Sequence, residues 1–140
     1  MFNALIRGLT ENSWFRKTFE FFKLMLRLDV RPSRLTFPFV LKSVVGLGDK
    51  WLGGMVHGGI LKMGLEFDGF VRVSLVDMYA KMELLSLALQ LFDESPERNK
   101  LDSVLLWNVV INGCCKNGIL EKAVELFEAM PERNLGSWNS

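Results

Sequence analysis

Apolar residues recur at helical spacing along most of this chain. The clearest stretch lies near the end, where the apolar positions fall three, four and seven residues apart on one helix face: Ala123, Leu126, Phe127 and Met130. The intervening positions carry charged residues, as expected of a helix with one face in solvent. No segment alternates apolar and polar residues for long enough to form a strand, so we predict an all-α chain.

Glycine and proline mark the ends of the predicted helices. A helix over about residues 105–115 should stop at Gly118, because glycine enters the left-handed conformation at little cost. Gly64 ends an earlier helix in the same way, and Pro131 ends the last one because a helix interior requires an amide hydrogen. Pro38 is compatible with the first turn of its helix. The resulting unit is a helix, a tight turn, a second helix and a break.

Helix-opening phrases recur at a step of about 35 residues. They are Phe2-Asn3-Ala4-Leu5-Ile6, Phe37-Pro38-Phe39-Val40-Leu41, Val73-Ser74-Leu75-Val76-Asp77, Trp107-Asn108-Val109-Val110-Ile111 and Trp138-Asn139-Ser140. A second column keeps the same step, with Phe22, His57, Phe92 and Phe127. A constant step of this size predicts a solenoid of stacked helix-turn-helix repeats. In such a stack we expect His57, Trp107 and Trp138 to be packing residues.

Composition and charge narrow the possible functions. The chain has 49% hydrophobic and 24% charged residues, which is typical of a folded protein. Its net charge is +1, with +4 on residues 1–70 and −3 on residues 71–140, so a basic RNA-binding stripe would lie on the first half of the chain. No apolar stretch reaches the roughly 20 residues of a membrane span, and Met1 leads directly into the first repeat without a targeting peptide.

The sequence contains no constellation typical of an enzyme or of a metal site. The two cysteines, Cys114 and Cys115, are adjacent, and we interpret both as reduced packing residues. There is no Ser/His/Asp set, no phosphate-binding glycine loop and no pair of metal-ligand motifs. We therefore expect a non-catalytic protein without a cofactor.

The recurring phrases resemble those of the pentatricopeptide repeat family, in the plant-type array that mixes ordinary, long and short repeats. The resemblance rests on the phrases quoted above together with Leu75-Val76-Asp77-Met78-Tyr79-Ala80-Lys81 and Ala123-Val124-Glu125-Leu126-Phe127-Glu128-Ala129-Met130-Pro131. It covers the whole chain and implies a right-handed α-solenoid. The repeats would be 1–33 (lacking its first positions), 34–68 (long), 69–103 (a stretched short unit), 104–134 (short) and the beginning of another at 135–140.

The resemblance also implies how such a protein reads single-stranded RNA, with one base for each repeat. The base-reading position falls on Asn3, Pro38, Val73, Asn108 and Asn139. Its partner at the end of the repeat falls on Ser33, Asp68, Asn134 and either Ser103 or Asn99. Apolar side chains that sandwich the base fall on Leu35, Phe70 and Leu105. Lys81 and Lys116 are candidates for phosphate contacts.

An asparagine amide offers a donor and an acceptor in one plane, which suits the edge of a base. By family analogy Asn3 with Ser33 favours cytosine, and Asn108 with Asn134 favours a pyrimidine. Pro38 and Val73 have no side-chain donor, so their repeats should read weakly or act as spacers. The structural alternative for all these positions is ordinary helix-start and packing residues.

The resemblance implies organellar RNA as the partner, in a mitochondrion or chloroplast, and a role in RNA processing or C-to-U editing. The zinc-deaminase signature does not occur in this sequence, so any editing activity would come from sequence beyond it or from a deaminase or editing cofactors acting in trans. The alternative function is a peptide-binding scaffold of tetratricopeptide type. Incomplete terminal repeats would also leave apolar ends around Leu5, Phe19 and Trp138, which predicts self-association.

Overall fold

The computed structural model describes residues 1–95 and 103–130, and in these ranges the chain forms eight helices and no strand. The prediction of an all-α fold is therefore confirmed. The helices are α1 (Phe2–Glu11), α2 (Phe15–Arg27), α3 (Phe37–Leu47), α4 (Lys50–Lys62), α5 (Gly69–Lys81), α6 (Leu85–Asp93), α7 (Val104–Lys116) and α8 (Leu120–Ala129).

Consecutive helices pair into four hairpins that stack in chain order. The first helix of each hairpin contacts the first helix of the next, so α1, α3, α5 and α7 form one continuous layer. The second helices pack against this layer of first helices, with α2 against α3 and α6 against α7. The fold is thus a helical repeat solenoid, as predicted from the 35-residue step.

Every hairpin turn passes through one residue with a positive φ. These residues are again 35 positions apart: Ser13 (φ 63°), Gly48 (φ 66°), Glu83 (φ 62°) and Gly118 (φ 77°). The predicted stops at Gly64 and Gly118 both have the left-handed conformation. Ser13 and Glu83 were missed, because a non-glycine residue gives no sequence signal for a positive φ.

The core runs along the stack between the two layers of helices. Ala123 and Leu126 in α8 and Met130 directly after it are buried, as the helical pattern predicts. Trp107 is also buried, and its ring meets Phe92 edge to face at a centroid distance of 4.7 Å. His57 packs against Tyr79 and forms a 2.7 Å hydrogen bond with its hydroxyl, so this histidine is a packing residue as expected.

The first helices approach one another closely at Gly113 in α7. A Cβ atom added there would lie 2.8 Å from the Cβ of Ala80 in α5, which is closer than van der Waals contact allows. The absence of a side chain at this position lets the two helices touch.

A buried cluster of hydroxyl groups joins the first hairpin to the second. The Thr10 Oγ1 lies 3.1 Å from the Thr18 Oγ1 and 3.2 Å from the Ser43 Oγ. All three side chains are almost fully buried, and each hydroxyl also lies 2.8–3.2 Å from a backbone carbonyl four residues earlier, so the three hydroxyl hydrogens are shared among these acceptors. The cluster satisfies its polar groups internally, as buried groups require.

Two expectations about surface residues were wrong. Phe19 does not form an exposed end, because it faces the core of the first hairpin and meets Phe22 edge to face at 5.9 Å. Cys114 is buried as predicted, but its neighbour Cys115 is exposed because successive helical residues point in different directions. Pro131 and Trp138 lie outside the described residues.

None of the described helices combines the length and apolar character needed to cross a bilayer.

Candidate nucleic-acid interface

Three large apolar side chains are exposed at equivalent positions, at the starts of α3, α5 and α7. They are Leu35, Phe70 and Leu105, with 57%, 53% and 59% of their surface exposed, and they are the residues predicted to sandwich bases. If these three residues belonged to the core, their side chains would be buried. These side chains are therefore available to a ligand along the layer of first helices.

The predicted base-reading positions follow the same register. Asn3 and Pro38 are the second residues of α1 and α3, whereas Val73 and Asn108 lie one turn into α5 and α7, and all four are half-buried. Since consecutive first helices contact each other, the four positions form a row beside the exposed apolar side chains. Asn139 lies outside the described residues.

In the first repeat the structure brings the two predicted reading residues together. The Asn3 amide nitrogen donates to the Ser33 Oγ at 3.5 Å, and the Asn3 Oδ1 accepts a 2.6 Å hydrogen bond from the buried Thr36 hydroxyl. Thr36 also accepts from the Ser33 backbone N–H at 3.0 Å. These bonds hold the amide in one orientation and leave one of its two N–H donors without an assigned partner.

The second repeat is organised around an ion pair. The Asp68 Oδ1 accepts from the backbone N–H groups of Phe70 and Val71 at 3.0 and 3.2 Å and so caps the N-terminus of α5. The Asp68 Oδ2 accepts from the Arg34 Nε at 2.7 Å. The Arg34 guanidinium in turn lies over the Phe70 ring, 4.6 Å from its centroid. Pro38 has no side-chain donor or acceptor.

The third repeat contains an apolar cavity of about 270 Å³. The predicted sandwiching residues Phe70 and Leu105 both line it, as do Val73 and the buried Ser103. The cavity thus joins the apolar residues of two successive repeats, and among its described lining residues the polar groups are hydroxyls and guanidinium groups rather than amides. Asn99, the other possible partner of Val73, lies outside the described residues.

In the fourth repeat the Asn108 side chain carries an unused acceptor. Its Oδ1 is buried and has no hydrogen-bond partner among residues 1–95 and 103–130. A buried carbonyl without a donor is costly unless a ligand or water supplies one. Its predicted partner Asn134 lies outside the described residues.

The charged residues of the first helices only partly form a basic stripe. Lys81 is paired with Asp77 at 3.0 Å, and Glu11, at the position equivalent to Lys81 in α1, is paired with Arg7 at 2.6 Å. Lys116 is exposed. The sequence analysis missed Lys42, which is exposed one turn beyond Pro38 on the same face of α3. The four-residue spacing from the reading position is the signal that identifies it.

A buried arginine fixes the wall behind the cavity. Arg72 donates to the Ser95 hydroxyl at 2.8 Å, to the Leu91 carbonyl at 2.7 Å and to the Glu66 carbonyl at 3.1 Å. Burial lowers the pKa of Arg72 from its ordinary value, but nearby carboxylates oppose this effect. Arg72 therefore links α5 to the end of α6 next to Val73. An arginine within an apolar run was the sequence signal, but it did not indicate the partners.

Within residues 1–95 and 103–130, no three His, Cys, Asp or Glu side chains come close enough together to hold a metal ion.

Comparison with known proteins identifies the repeat. The sequence model of the PPR repeat matches residues 1–30, 73–99 and 105–135. Among curated proteins, the chain is 56% identical over 135 residues to the pentatricopeptide repeat-containing protein At1g04840 of Arabidopsis thaliana, which covers 96% of this chain and 20% of that protein. It is 43% identical over 125 residues to At5g27110 of the same plant, covering 89% of this chain and 18% of that protein.

A third relative carries an organelle in its name. The chain is 34% identical over 124 residues to the mitochondrial pentatricopeptide repeat-containing protein At1g06140 of Arabidopsis thaliana, covering 89% of this chain and 22% of that protein. The chain thus spans about a fifth of the length of these curated relatives. The matched repeats and the stacked hairpins together show that the chain belongs to the pentatricopeptide repeat family, whose members are typically non-catalytic, RNA-binding proteins of organellar RNA processing.

Proposed function

We propose that this segment binds single-stranded RNA along the layer of first helices, with one base for each repeat. The observation that carries this proposal is the row of exposed apolar side chains at Leu35, Phe70 and Leu105, which recurs with the repeat and stands beside the predicted reading positions. Exposed apolar and aromatic groups at regular spacing provide stacking surfaces for successive bases.

Base selection would differ between repeats. In the first repeat, Asn3 has one N–H donor left to contact a base, and Ser33 lies beside it, a pairing that favours cytosine by family analogy. In the fourth, Asn108 stands at the reading position, and by family analogy its pairing with Asn134 favours a pyrimidine. In the third repeat, Val73 has no side-chain donor and the described residues that line the cavity include no amide, so we expect little discrimination there.

We further propose that the segment is the recognition part of a longer organellar protein. Its role would be RNA processing or C-to-U editing in a mitochondrion or chloroplast, with a deaminase or editing cofactors acting in trans. The support is the family membership and the relative whose name places it in the mitochondrion.

The direct test is a titration of the chain with pyrimidine-rich single-stranded RNA, monitored by fluorescence anisotropy. We expect binding that weakens as salt rises, since phosphate contacts release counterions. The slope of log affinity against log salt should be shallow, because Lys42, Lys81 and Lys116 are the exposed lysines on this face and Lys81 is already paired. Duplex RNA of the same sequence should bind more weakly, since its bases cannot reach the stacking residues.

Asn108→Ala tests the reading position. The substitution should weaken binding about 5- to 150-fold if the amide makes one good base contact, worth roughly 1–3 kcal/mol. Gln90→Ala is the matched control, because it removes an exposed amide from α6 in the other layer. Equal effects of the two substitutions, or binding to extended peptides in place of RNA, would contradict the proposal.

A further inference from the structure

Arg34, the first residue of the second repeat (34–68), has no charged residue at the equivalent positions of the other described repeats. Arg34 precedes the exposed apolar Leu35, whereas Gly69 and Val104 stand at this position in the next two repeats. Its partner Asp68 is likewise the one carboxylate at the end of a repeat, where Ser33 and Ser103 carry hydroxyls. The arginine and the carboxylate therefore occur together, and only at this interface among the described residues.

We infer that Arg34 is a latch that prevents the second repeat from recognising a base. This inference rests on the proposed RNA-binding function. The guanidinium donates to the one oxygen of Asp68 that is not used to cap α5, so both carboxylate oxygens already accept hydrogen bonds within the protein. It also covers a face of Phe70, the ring on which a base would stack.

The position of the latch is fixed by the burial of Asp68, by the capping hydrogen bonds of its carboxylate and by the contact of Arg34 with the Phe70 ring. Asp68 is mostly buried, with 17% of its side chain exposed, and its other oxygen is fixed by two backbone N–H groups. Arg34 is half-exposed, at 48%, so its charge remains hydrated while its plane contacts the ring. Arginine suits this position because it combines a hydrogen-bond donor with a flat face that stacks on an aromatic ring.

The contact of Arg34 with Asp68 explains why a carboxylate at the end of this repeat would not select a base. A free carboxylate accepts hydrogen bonds from base edges that present N–H donors, and guanine presents two of them side by side. Without Arg34, the Oδ2 of Asp68 would lose its hydrogen-bond donor, and the face of Phe70 that the guanidinium covers would be open to a base. The second repeat would then change from a spacer into a reader that prefers guanine.

The test compares base preference at the RNA position facing repeat 34–68. Four single-stranded RNAs that differ only at this base are titrated against the natural chain and against Arg34→Leu, which removes the guanidinium but keeps an apolar side chain. The natural chain should bind all four equally. Arg34→Leu should prefer guanine by about fivefold or more, the lower end of one specific base contact. Arg27→Leu, at the exposed end of α2, controls for the loss of one positive charge.

A second variant assigns the new preference to Asp68. Arg34→Leu combined with Asp68→Ser keeps a hydroxyl that can cap α5 but removes the carboxylate, so binding should again be indifferent to the base. Thermal unfolding of each variant shows that the α5 start remains folded. The latch itself is observed without RNA, since the Arg34 Nε–H resonance should exchange slowly with water and should exchange quickly in Asp68→Ser.

The outcomes separate this inference from the proposed function. Binding by the natural chain with no new preference in Arg34→Leu overturns the latch and leaves RNA binding intact. Fast exchange of the Arg34 Nε–H in the natural chain also overturns it. Absence of binding to any single-stranded RNA overturns the proposed function, and the latch inference falls with it.

Discussion

Replacing Glu83 by glycine measures the strain stored in one hairpin turn. Glu83 is exposed and has a φ of 62°, at the turn between α5 and α6. The left-handed conformation costs an L-residue roughly 1–2 kcal/mol, and glycine avoids this cost. Glycine also makes the unfolded chain more flexible, which returns about 0.4–1 kcal/mol. The expected net gain in the free energy of unfolding is therefore about 0.5–1 kcal/mol.

The other turns allow the reverse change. Gly118→Ala places a Cβ atom at a φ of 77° and should lower stability by about 1 kcal/mol, although nothing lies within 4 Å of the new atom. The matched control for Glu83→Gly is Glu125→Gly, which also replaces an exposed glutamate by glycine, but at a position inside α8. There glycine should destabilise by about 0.5–1 kcal/mol, because it is a poor helix former.

Urea and thermal unfolding followed by far-UV circular dichroism would measure all three variants. For a chain of this size the expected changes correspond to shifts in Tm of about 1–5 °C. The natural chain should lie between Glu83→Gly above it and the two other variants below. A loss of stability in Glu83→Gly comparable with that in Glu125→Gly would refute the argument, since it would mean that the turn carries no strain.

Three further predictions concern packing, capping and pH. Gly113→Ala should destabilise the contact between α5 and α7 by about 1–2 kcal/mol, because the cost of overpacking exceeds the gain in helix propensity. Gly54→Ala is the control: its new methyl group points into open space, so it should stabilise the chain by about 0.5–1 kcal/mol. Equal changes in the free energy of unfolding in urea would contradict this prediction. Ile119→Asp should add about 1 kcal/mol by capping α8, and an unchanged midpoint in thermal unfolding would count against it. Burial, helped by the charge of a nearby arginine, lowers the pKa of His57 below 6.5, so the unfolded chain takes up a proton first and stability should fall as the pH drops through about 6.5 towards the folded pKa. His57→Gln, which keeps a partner for the Tyr79 hydroxyl, should flatten this profile, and an identical pH dependence in both proteins would refute the assignment.

The helical repeat could be predicted because periodicity reports directly on which residues are buried. The pairing of Asn3 with Ser33 was implied by the family resemblance, and the structure places the Asn3 amide nitrogen 3.5 Å from the Ser33 hydroxyl. The positive φ of Glu83 could not be predicted, because it is imposed by the stacking of the hairpins rather than by the residue. The contact of Arg34 with Asp68 and Phe70 was also missed, since it depends on side-chain conformations across two repeats.

The hydroxyl cluster of Thr10, Thr18 and Ser43 bears on how such arrays can be rearranged. At the positions 35 and 70 residues beyond Ser43, which is the member of the cluster in the second hairpin, the later repeats carry Met78 and Gly113, which have no hydroxyl. If the first hairpin were placed directly before one of the later hairpins, the Thr10 hydroxyl would face a surface without a hydrogen-bonding partner. The first two hairpins are therefore best moved as an inseparable pair when modules are shuffled to build new binding proteins.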